Sequence, residues 1–253
     1  MSAAGAPRIE EGAGVALSVR TWGPAGGPAC VLVHGMASDA LAWAPVAERL
    51  EGRVVAYDRR GYGGSGAPEP YSATTVNEQA EDLAALVRGL DAAPALLAGE
   101  GFGALVVLDV LRRHRALARG AVLADPPLYA FVPEATEELA AQRAELEGAL
   151  RSGGPGAAVE RWLGGRAPAD RVERARMHPR AFFADLGGLA SLSVSRAELR
   201  AITLPLVILT GPATPPADRL AADRLSDLPP DVRRTDDGDL AGAIAALSAS
   251  AGR

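Results

Sequence analysis

The chain contains 253 residues and carries a formal net charge of -5 at neutral pH. Hydrophobic residues make up 48% of it, which excludes an intrinsically disordered chain and suits one α/β domain with a modest insertion. The acidic balance, without an evident basic face, argues against nucleic acid as a partner.

Three further features of the sequence limit the possible reactions of the protein and its location in the cell. All 26 basic residues are arginine, so a Schiff-base lysine mechanism is excluded. Cys30 is the single cysteine, and its apolar surroundings predict a buried side chain without a disulfide partner. The first residues lack an apolar signal region, and no apolar stretch is long enough to span a bilayer. We therefore expect a cytoplasmic protein without a membrane partner.

Strand and helix patterns alternate through the first half of the chain. Apolar runs predict strands over residues 15–22, 29–33, 53–57, 95–98 and 121–124. Helical patterns cover residues 39–50 and 102–114, and another helical pattern begins at residue 76. Thr75 and Glu78 have the spacing of a capping box, which marks the start of the second helix. This alternation indicates a mostly parallel central sheet flanked by helices.

The pattern changes in the middle of the chain. Residues 134–150, 157–163 and 171–189 are helix candidates without a convincing strand between them, and the glycine-rich residues 153–156 separate the first two. The alternation returns with a strand over 205–210, a helix over 215–228, a strand near 231–235 and a helix from Leu240. We therefore predict a core formed by residues 1–130 and 196–253, and a helical cap formed by residues 131–195.

Three glycine-containing motifs lie in the predicted core. Residues 31–36 read Val-Leu-Val-His-Gly-Met, residues 58–65 read Asp-Arg-Arg-Gly-Tyr-Gly-Gly-Ser, and residues 99–103 read Gly-Glu-Gly-Phe-Gly. In this order and spacing they resemble the α/β-hydrolase fold superfamily over nearly the whole chain. The resemblance implies a cap over the active site and identifies the third motif with the strand-to-helix corner G-x-S-x-G, whose serine is the nucleophile.

The chain departs from this family at all three positions of the catalytic triad. The serine position holds Gly101, the acid position aligns with Thr214, the histidine position aligns with Asp239, and no histidine follows His178. Without a hydroxyl and a positioned base, acyl-enzyme chemistry has no nucleophile. We therefore expect a member without the Ser-acid-His triad and not a conventional serine hydrolase. Gly101 would relieve a strained corner, while Thr214 and Asp239 are expected to cap helices.

The resemblance also implies that part of the family's site survives. The oxyanion hole is built from backbone amides, and the corresponding amides here belong to Met36 and Phe102. Gly35 and Gly101 adjoin these amides, and Ser38 follows the first turn closely enough to reach a ligand. These five residues are the predicted substrate-binding set.

Three other side chains are candidate acid–base groups. Asp125 ends a predicted strand, Glu100 precedes the corner, and His178 lies in the predicted cap. His34 belongs to the first glycine turn, and we expect it to be structural.

The corner also fits a second motif. Residues 99–104 have the spacing G-x-G-x-x-A, and Asp125 ends the next predicted strand, as in a dinucleotide-binding fingerprint. That fingerprint normally opens the first strand–helix unit of its fold, whereas three predicted strands precede this one. We therefore expect no cofactor and no metal.

Three functional hypotheses remain open. The first is a non-hydrolytic enzyme, an epimerase, isomerase, lyase or cyclase, that acts on a carbonyl-containing or peptide-like natural product held under the cap. In lacking the triad the chain resembles the epimerase of the bottromycin pathway, which is a likeness at the level of the fold. The second is a pseudo-hydrolase that binds a ligand or a partner without turnover. The third is a hydrolase with relocated catalytic residues.

Overall fold

A computed structural model describes residues 5–165 and 167–251. Within these ranges one sheet of eight strands forms the centre of the molecule. The strands are β1 (Arg8–Glu11), β2 (Ala16–Trp22), β3 (Ala29–Val33), β4 (Arg53–Tyr57), β5 (Ala95–Glu100), β6 (Ala118–Ala124), β7 (Leu206–Leu209) and β8 (Val232–Thr235). Their order across the sheet is β1-β2-β4-β3-β5-β6-β7-β8. Only β2 pairs antiparallel with its neighbours β1 and β4 in this sheet, which confirms the expected mostly parallel architecture.

Helices cover both faces of the sheet. They are α1 (Ala44–Ala47), α2 (Val76–Gly89), α3 (Phe102–Arg113), α4 (Thr136–Leu163), α5 (Ala169–Arg176), α6 (Pro179–Gly188), α7 (Arg196–Arg200), α8 (Pro216–Ser226) and α9 (Leu240–Ala251). Successive side chains of β3 alternate between two clusters: Val31 and Val33 pack with α2 and α3, whereas Cys30 and Leu32 pack with α1 and α9. Cys30 is buried as predicted, and this burial raises the pKa of its thiol to about 12.

Two local expectations differ from the structure. The strand β1 was not predicted, because it is a short edge strand whose Ile9 side chain is exposed and gives no buried alternation. The expected helix over residues 39–50 is instead a 3-10 turn, Ala40–Trp43, followed by the short α1. Pro45 lies in the first turn of α1, and its missing N–H cannot continue the preceding helix. The capping box of Thr75 and Glu78 is present as expected.

The described residues between β6 and β7 form helices and no strand. The first two predicted helices together make up α4, which is interrupted within the predicted glycine-rich stretch at Gly154, whose φ of 77° and ψ of -173° are not helical. The third is divided into α5 and α6, because Pro179 begins a new helix after His178. No helix in the described parts of the chain is both long and apolar enough to cross a membrane.

A buried ion pair connects the helices between β6 and β7, called the insertion from here on, to the core. Arg59, in the loop after β4, donates to both carboxylate oxygens of Asp185 on α6 at 2.6 and 3.1 Å. The same guanidinium donates to the carbonyl oxygens of His34 at 2.8 Å and Gly35 at 2.9 Å. Burial alone would lower the pKa of Arg59, but the Asp185 carboxylate raises it above its ordinary value. The ion pair therefore links the insertion directly to the glycine turn after β3.

Candidate functional site

The corner between β5 and α3 has the geometry that the motif predicts. A Cβ on Gly99 would lie 2.3 Å from the carbonyl oxygen of Gly103, and a Cβ on Gly103 would lie 2.3 Å from that of Val33. Close backbone packing therefore requires both glycines. Gly101 at the tip is different, because a Cβ there would meet only the Cα of Gly35, at 3.9 Å. Its φ of 55° and ψ of -122° favour glycine, but the space beside it is open.

A cavity of about 500 Å³ opens at this corner, between the carboxyl ends of the central strands and the insertion. Its lining includes four of the five predicted substrate-binding residues and two predicted acid–base residues: Gly35, Met36, Gly101, Phe102, Glu100 and Asp125. The strand register explains this convergence, because Val33 pairs with Gly99 and Glu100 pairs with Ala124. The residues that follow β3, β5 and β6 must then meet at one edge of the sheet.

Two backbone amides at this edge are available to a ligand. Phe102 is the first residue of α3, so its N–H has no carbonyl within the helix to which it can donate. Met36 follows Gly35, whose carbonyl oxygen is held by Arg59. Neither amide donates to another backbone group among the described residues. Both residues line the same cavity, so both amides can donate hydrogen bonds to a ligand there.

Asp125 supplies a carboxyl group beside these amides. It follows β6 with a φ of 46°, an uncommon conformation for a residue other than glycine. The hydroxyl of Thr214 donates to its Oδ1 at 2.6 Å. Burial is the main cause that raises the pKa of Asp125, the charge of Glu100 raises it further, and the hydrogen bond from Thr214 opposes both. A carboxyl in this environment is suited to general acid–base work.

The structure gives different surroundings to Thr214 and Asp239, the residues that the resemblance aligns with the acid and histidine positions of the triad. Thr214 does not cap α8, whose N-cap is Pro215 without a side-chain hydrogen bond; the prediction of a capping role was wrong. Its Oγ1 instead accepts a hydrogen bond from the Gly211 amide at 2.7 Å while donating to Asp125. Asp239 accepts from the Gly242 amide at 3.2 Å, as predicted for a helix cap. It also pairs with Arg49, which together with the helix amide lowers its pKa, and it lies outside the cavity lining.

Two further candidates also lie outside the cavity lining. Ser38 is buried, and its hydroxyl has no hydrogen-bond partner in the described structure. His178 precedes α6, and its ring centroid lies 6.4 Å from that of Tyr62. The structure therefore brings neither side chain to the group formed by Asp125, Met36 and Phe102.

His34 has the structural role that the sequence predicts. Its Nδ1 lies 2.8 Å from the carbonyl oxygen of Gly35, and its Nε2 accepts from the Arg59 amide at 2.9 Å. Burial lowers its pKa well below the ordinary value, the charge of Arg59 adds to this effect, and Arg171 contributes as well. Both ring nitrogens are thus occupied, and His34 has no free nitrogen to act as a base.

Sequence reasoning missed several side chains that line the cavity. Trp43 precedes α1, Trp162 lies in the last turn of α4, and Tyr129 donates to Asp218 at 2.5 Å. Arg171 of α5 also reaches the cavity. These residues lie in segments whose sequence carries only helix and turn signals, so no local pattern marks them as lining a site.

Comparison with known proteins identifies the family of the chain. Residues 30–247 match the family described as the alpha/beta hydrolase family. The chain belongs to that family. Over 236 residues it is 29% identical to the 2-(acetamidomethylene)succinate hydrolase of Mesorhizobium japonicum, a match that spans 86% of this chain and 82% of that enzyme. It is 32% identical over 195 residues to epoxide hydrolase A of Mycobacterium tuberculosis, but the match spans 68% of this chain and only 60% of that relative.

Solved structures share this fold over nearly the whole chain. An alpha/beta hydrolase from Sphaerobacter thermophilus has a TM-score of 0.73 and 25% identity, with 97% of this chain and 100% of that one covered. An esterase from Thermogutta terrifontis has a TM-score of 0.72 and 23% identity, with 98% and 96% covered. At that identity the second likeness concerns the fold alone.

Proposed function

We propose that this alpha/beta hydrolase family member lacks Ser–His chemistry and is an enzyme that moves a proton beside a carbonyl group, as an epimerase or isomerase does. One arrangement carries the proposal: the Asp125 carboxyl, with its raised pKa, shares a cavity with the free amides of Met36 and Phe102. The corner residue between them is Gly101, which has no side chain to serve as a nucleophile.

The proposed reaction uses the two parts of the site in sequence. The substrate's carbonyl oxygen accepts hydrogen bonds from the amides of Met36 and Phe102. The Asp125 carboxylate takes a proton from the adjacent carbon, and the electron pair of that C–H bond moves to form an enolate with its charge on the oxygen. The amides stabilise this charge. In an isomerisation, the protonated Asp125 returns the proton to another carbon. In an epimerisation, a water molecule delivers a proton to the opposite face of the carbon and Asp125 releases its proton to solvent, so neither reaction changes the net number of atoms.

The raised pKa of Asp125 supports this role. A base accepts a proton more readily when its pKa is closer to that of the reacting group, so burial of Asp125 improves proton transfer. Thr214 holds one carboxylate oxygen, which fixes the orientation of the group. The cavity volume fits a small molecule or a short peptide segment, in line with a carbonyl-containing or peptide-like substrate. We place this activity in the cytoplasm.

A second function uses the same residues. Relatives with matches over most of their length are named as hydrolases, including the Mesorhizobium enzyme. In a hydrolytic variant of the mechanism, Asp125 would deprotonate a water molecule that attacks the carbonyl held by the two amides; the bond from the carbonyl carbon to the leaving group then breaks, and that group takes the proton from Asp125. The pseudo-hydrolase alternative needs only the cavity and predicts binding without any product.

Deuterium exchange distinguishes these functions. Wild-type protein is incubated in D2O with small carbonyl compounds and peptides, and each compound is then examined by mass spectrometry. The proposal predicts deuterium at a carbon beside the carbonyl, without cleavage, and loss of this exchange in Asp125→Asn. Asp236→Asn, an exposed aspartate outside the cavity, is the matched control and should retain it. Cleavage that depends on Asp125 would establish the hydrolase, and neither exchange nor cleavage would contradict both enzymatic functions.

A further inference from the structure

One arginine of the insertion lines the cavity and makes no hydrogen bond to a carboxylate among the described residues. Arg171, in the first turn of α5, lines the cavity and has a side chain that is 23% exposed. Its Nε is buried and has no hydrogen-bond partner among the described residues. The nearest carboxylate oxygen, on Glu100, lies 4.0 Å from Nη2, which is too long for a hydrogen bond.

The other arginines near the end of the same helix behave differently. Arg174 donates to Asp39 at 2.5 Å and to Asp170 at 2.8 Å, and Arg176 lies 3.3 Å from Glu160. Arg171 therefore stands out on α5, since its guanidinium faces a cavity rather than a hydrogen-bonded carboxylate. Buried donors normally have acceptors, and a vacant donor on a charged group is costly.

We propose that Arg171 binds a carboxylate group of the ligand. The Nη1 and Nη2 groups of the guanidinium, which are not buried as Nε is, can donate to the two oxygens of a carboxylate, so one ligand group can pair with this charge. The ligand class is then a small molecule or peptide end that carries a carboxylate in addition to its reacting carbonyl.

The charges around the cavity fix where this carboxylate can lie. Asp125 would repel it from the corner, whereas Arg171 attracts it towards the insertion, where Glu100, 4.0 Å from Nη2, competes for the same guanidinium. The carbonyl is left at the amides of Met36 and Phe102, which line the same cavity. This inference deepens the proposed function by naming a ligand class, and it rests on that function only for the reaction that follows binding.

Binding of simple carboxylates tests the inference on the full chain. Hexanoate and succinate are compared with hexanamide and succinamide by calorimetry, and by tryptophan fluorescence, since Trp43 and Trp162 line the cavity. We expect wild-type protein to bind at least one carboxylate about ten-fold or more tightly than its amide, as a charge-assisted hydrogen bond provides. Arg171→Gln should abolish this preference, and Arg171→Lys should retain part of it.

The control is Arg176→Gln on the same helix, because Arg176 is exposed and outside the cavity lining; it should retain the preference. Circular dichroism verifies that each variant is folded. Equal affinity for carboxylates and amides, no binding of either, or a preference that persists in Arg171→Gln would overturn the inference. Asp125→Asn separates the two proposals, because it should bind carboxylates at least as well as wild type even though it cannot transfer a proton.

Discussion

Removing one partner of the ion pair between Arg59 and Asp185 is expected to lower the stability of the protein strongly. The Asp185 carboxylate accepts two hydrogen bonds from Arg59, one from the Tyr62 hydroxyl at 2.7 Å and one from the Gln79 amide at 2.8 Å. The side chains of Arg59 and Asp185 are 1% and 0% exposed. Asp185→Ala therefore removes four hydrogen bonds at once and leaves a buried guanidinium without its counter-charge.

The expected cost follows from that burial. Removing one partner of a buried ion pair destabilises a protein by about 3–5 kcal/mol, because the remaining charge has lost its water and its partner. For a chain of this size, each kcal/mol shifts the melting temperature by about 2–4 °C, so Asp185→Ala should lower it by roughly 6–20 °C. Replacing both partners, as in Arg59→Met with Asp185→Leu, should cost less than Asp185→Ala alone, because no buried charge then remains.

Thermal and urea unfolding followed by circular dichroism measure these differences. Glu160→Ala is the matched control, because Glu160 lies on the same insertion and its pair with Arg176 is exposed. Exposed pairs contribute about 0–1 kcal/mol, so this variant should unfold close to wild type. If Asp185→Ala were no less stable than Glu160→Ala, or more stable than the double variant, the reasoning from buried charge would be refuted.

Three predictions concern the corner and its carboxyl. Because burial raises the pKa of Asp125 in the folded state, its ionisation removes stability as pH rises from its unfolded value through its folded value. Asp125→Asn should therefore unfold at a higher temperature than wild type at neutral pH, and the difference should vanish in acid; an equal gain at both pH values would contradict this. Carbon NMR titration of Asp125 should show a higher pKa in Thr214→Val, which removes a hydrogen bond to the carboxylate, and a lower pKa in Glu100→Gln, which removes a negative charge. Gly101→Ser should fold, since the space beside Gly101 is open, but should not hydrolyse nitrophenyl acetate, because no histidine lines the cavity; turnover well above wild type would show that a base is present.

Much of the fold was predictable because hydrophobic periodicity reports burial directly. The bounds of β3 and β4 agree with the predicted strands, since every residue of β3 is buried and the apolar run is continuous. The capping box likewise marked the start of α2. The break within α4 was predictable, because glycines at 153 and 154 interrupt the helical pattern and Gly154 has a non-helical φ of 77°. The contact between the two segments, in which Arg161 donates to Glu145 at 2.6 Å, has no signal in local patterns.

The cavity lining was predictable where residues follow the glycine motifs or the ends of strands. Met36 and Phe102 were predicted from the resemblance that the glycine motifs carry, and Asp125 and Glu100 from their places at a strand end and before the corner; all four line one cavity. Arg171 was missed, because an arginine in an arginine-rich helix carries no signal of where it points. The role of Thr214 was also missed, since its contact with Asp125 joins loops that are distant in the sequence. Such contacts depend on how strands are ordered, which single-sequence patterns do not determine.

The two kinds of glycine at the corner explain how this fold can change its chemistry. Gly99 and Gly103 are fixed by backbone contacts that any side chain would disrupt, and these contacts position the Phe102 amide. Gly101 makes no such contact: a side chain there costs backbone strain, because φ is positive, but does not clash with the backbone that carries the amide. The proposed oxyanion-binding amides therefore do not depend on a side chain at the nucleophile position. A family member can keep the part of the site that stabilises a negative oxygen and pair it with a different base, and Asp125 lies beside that part of the site.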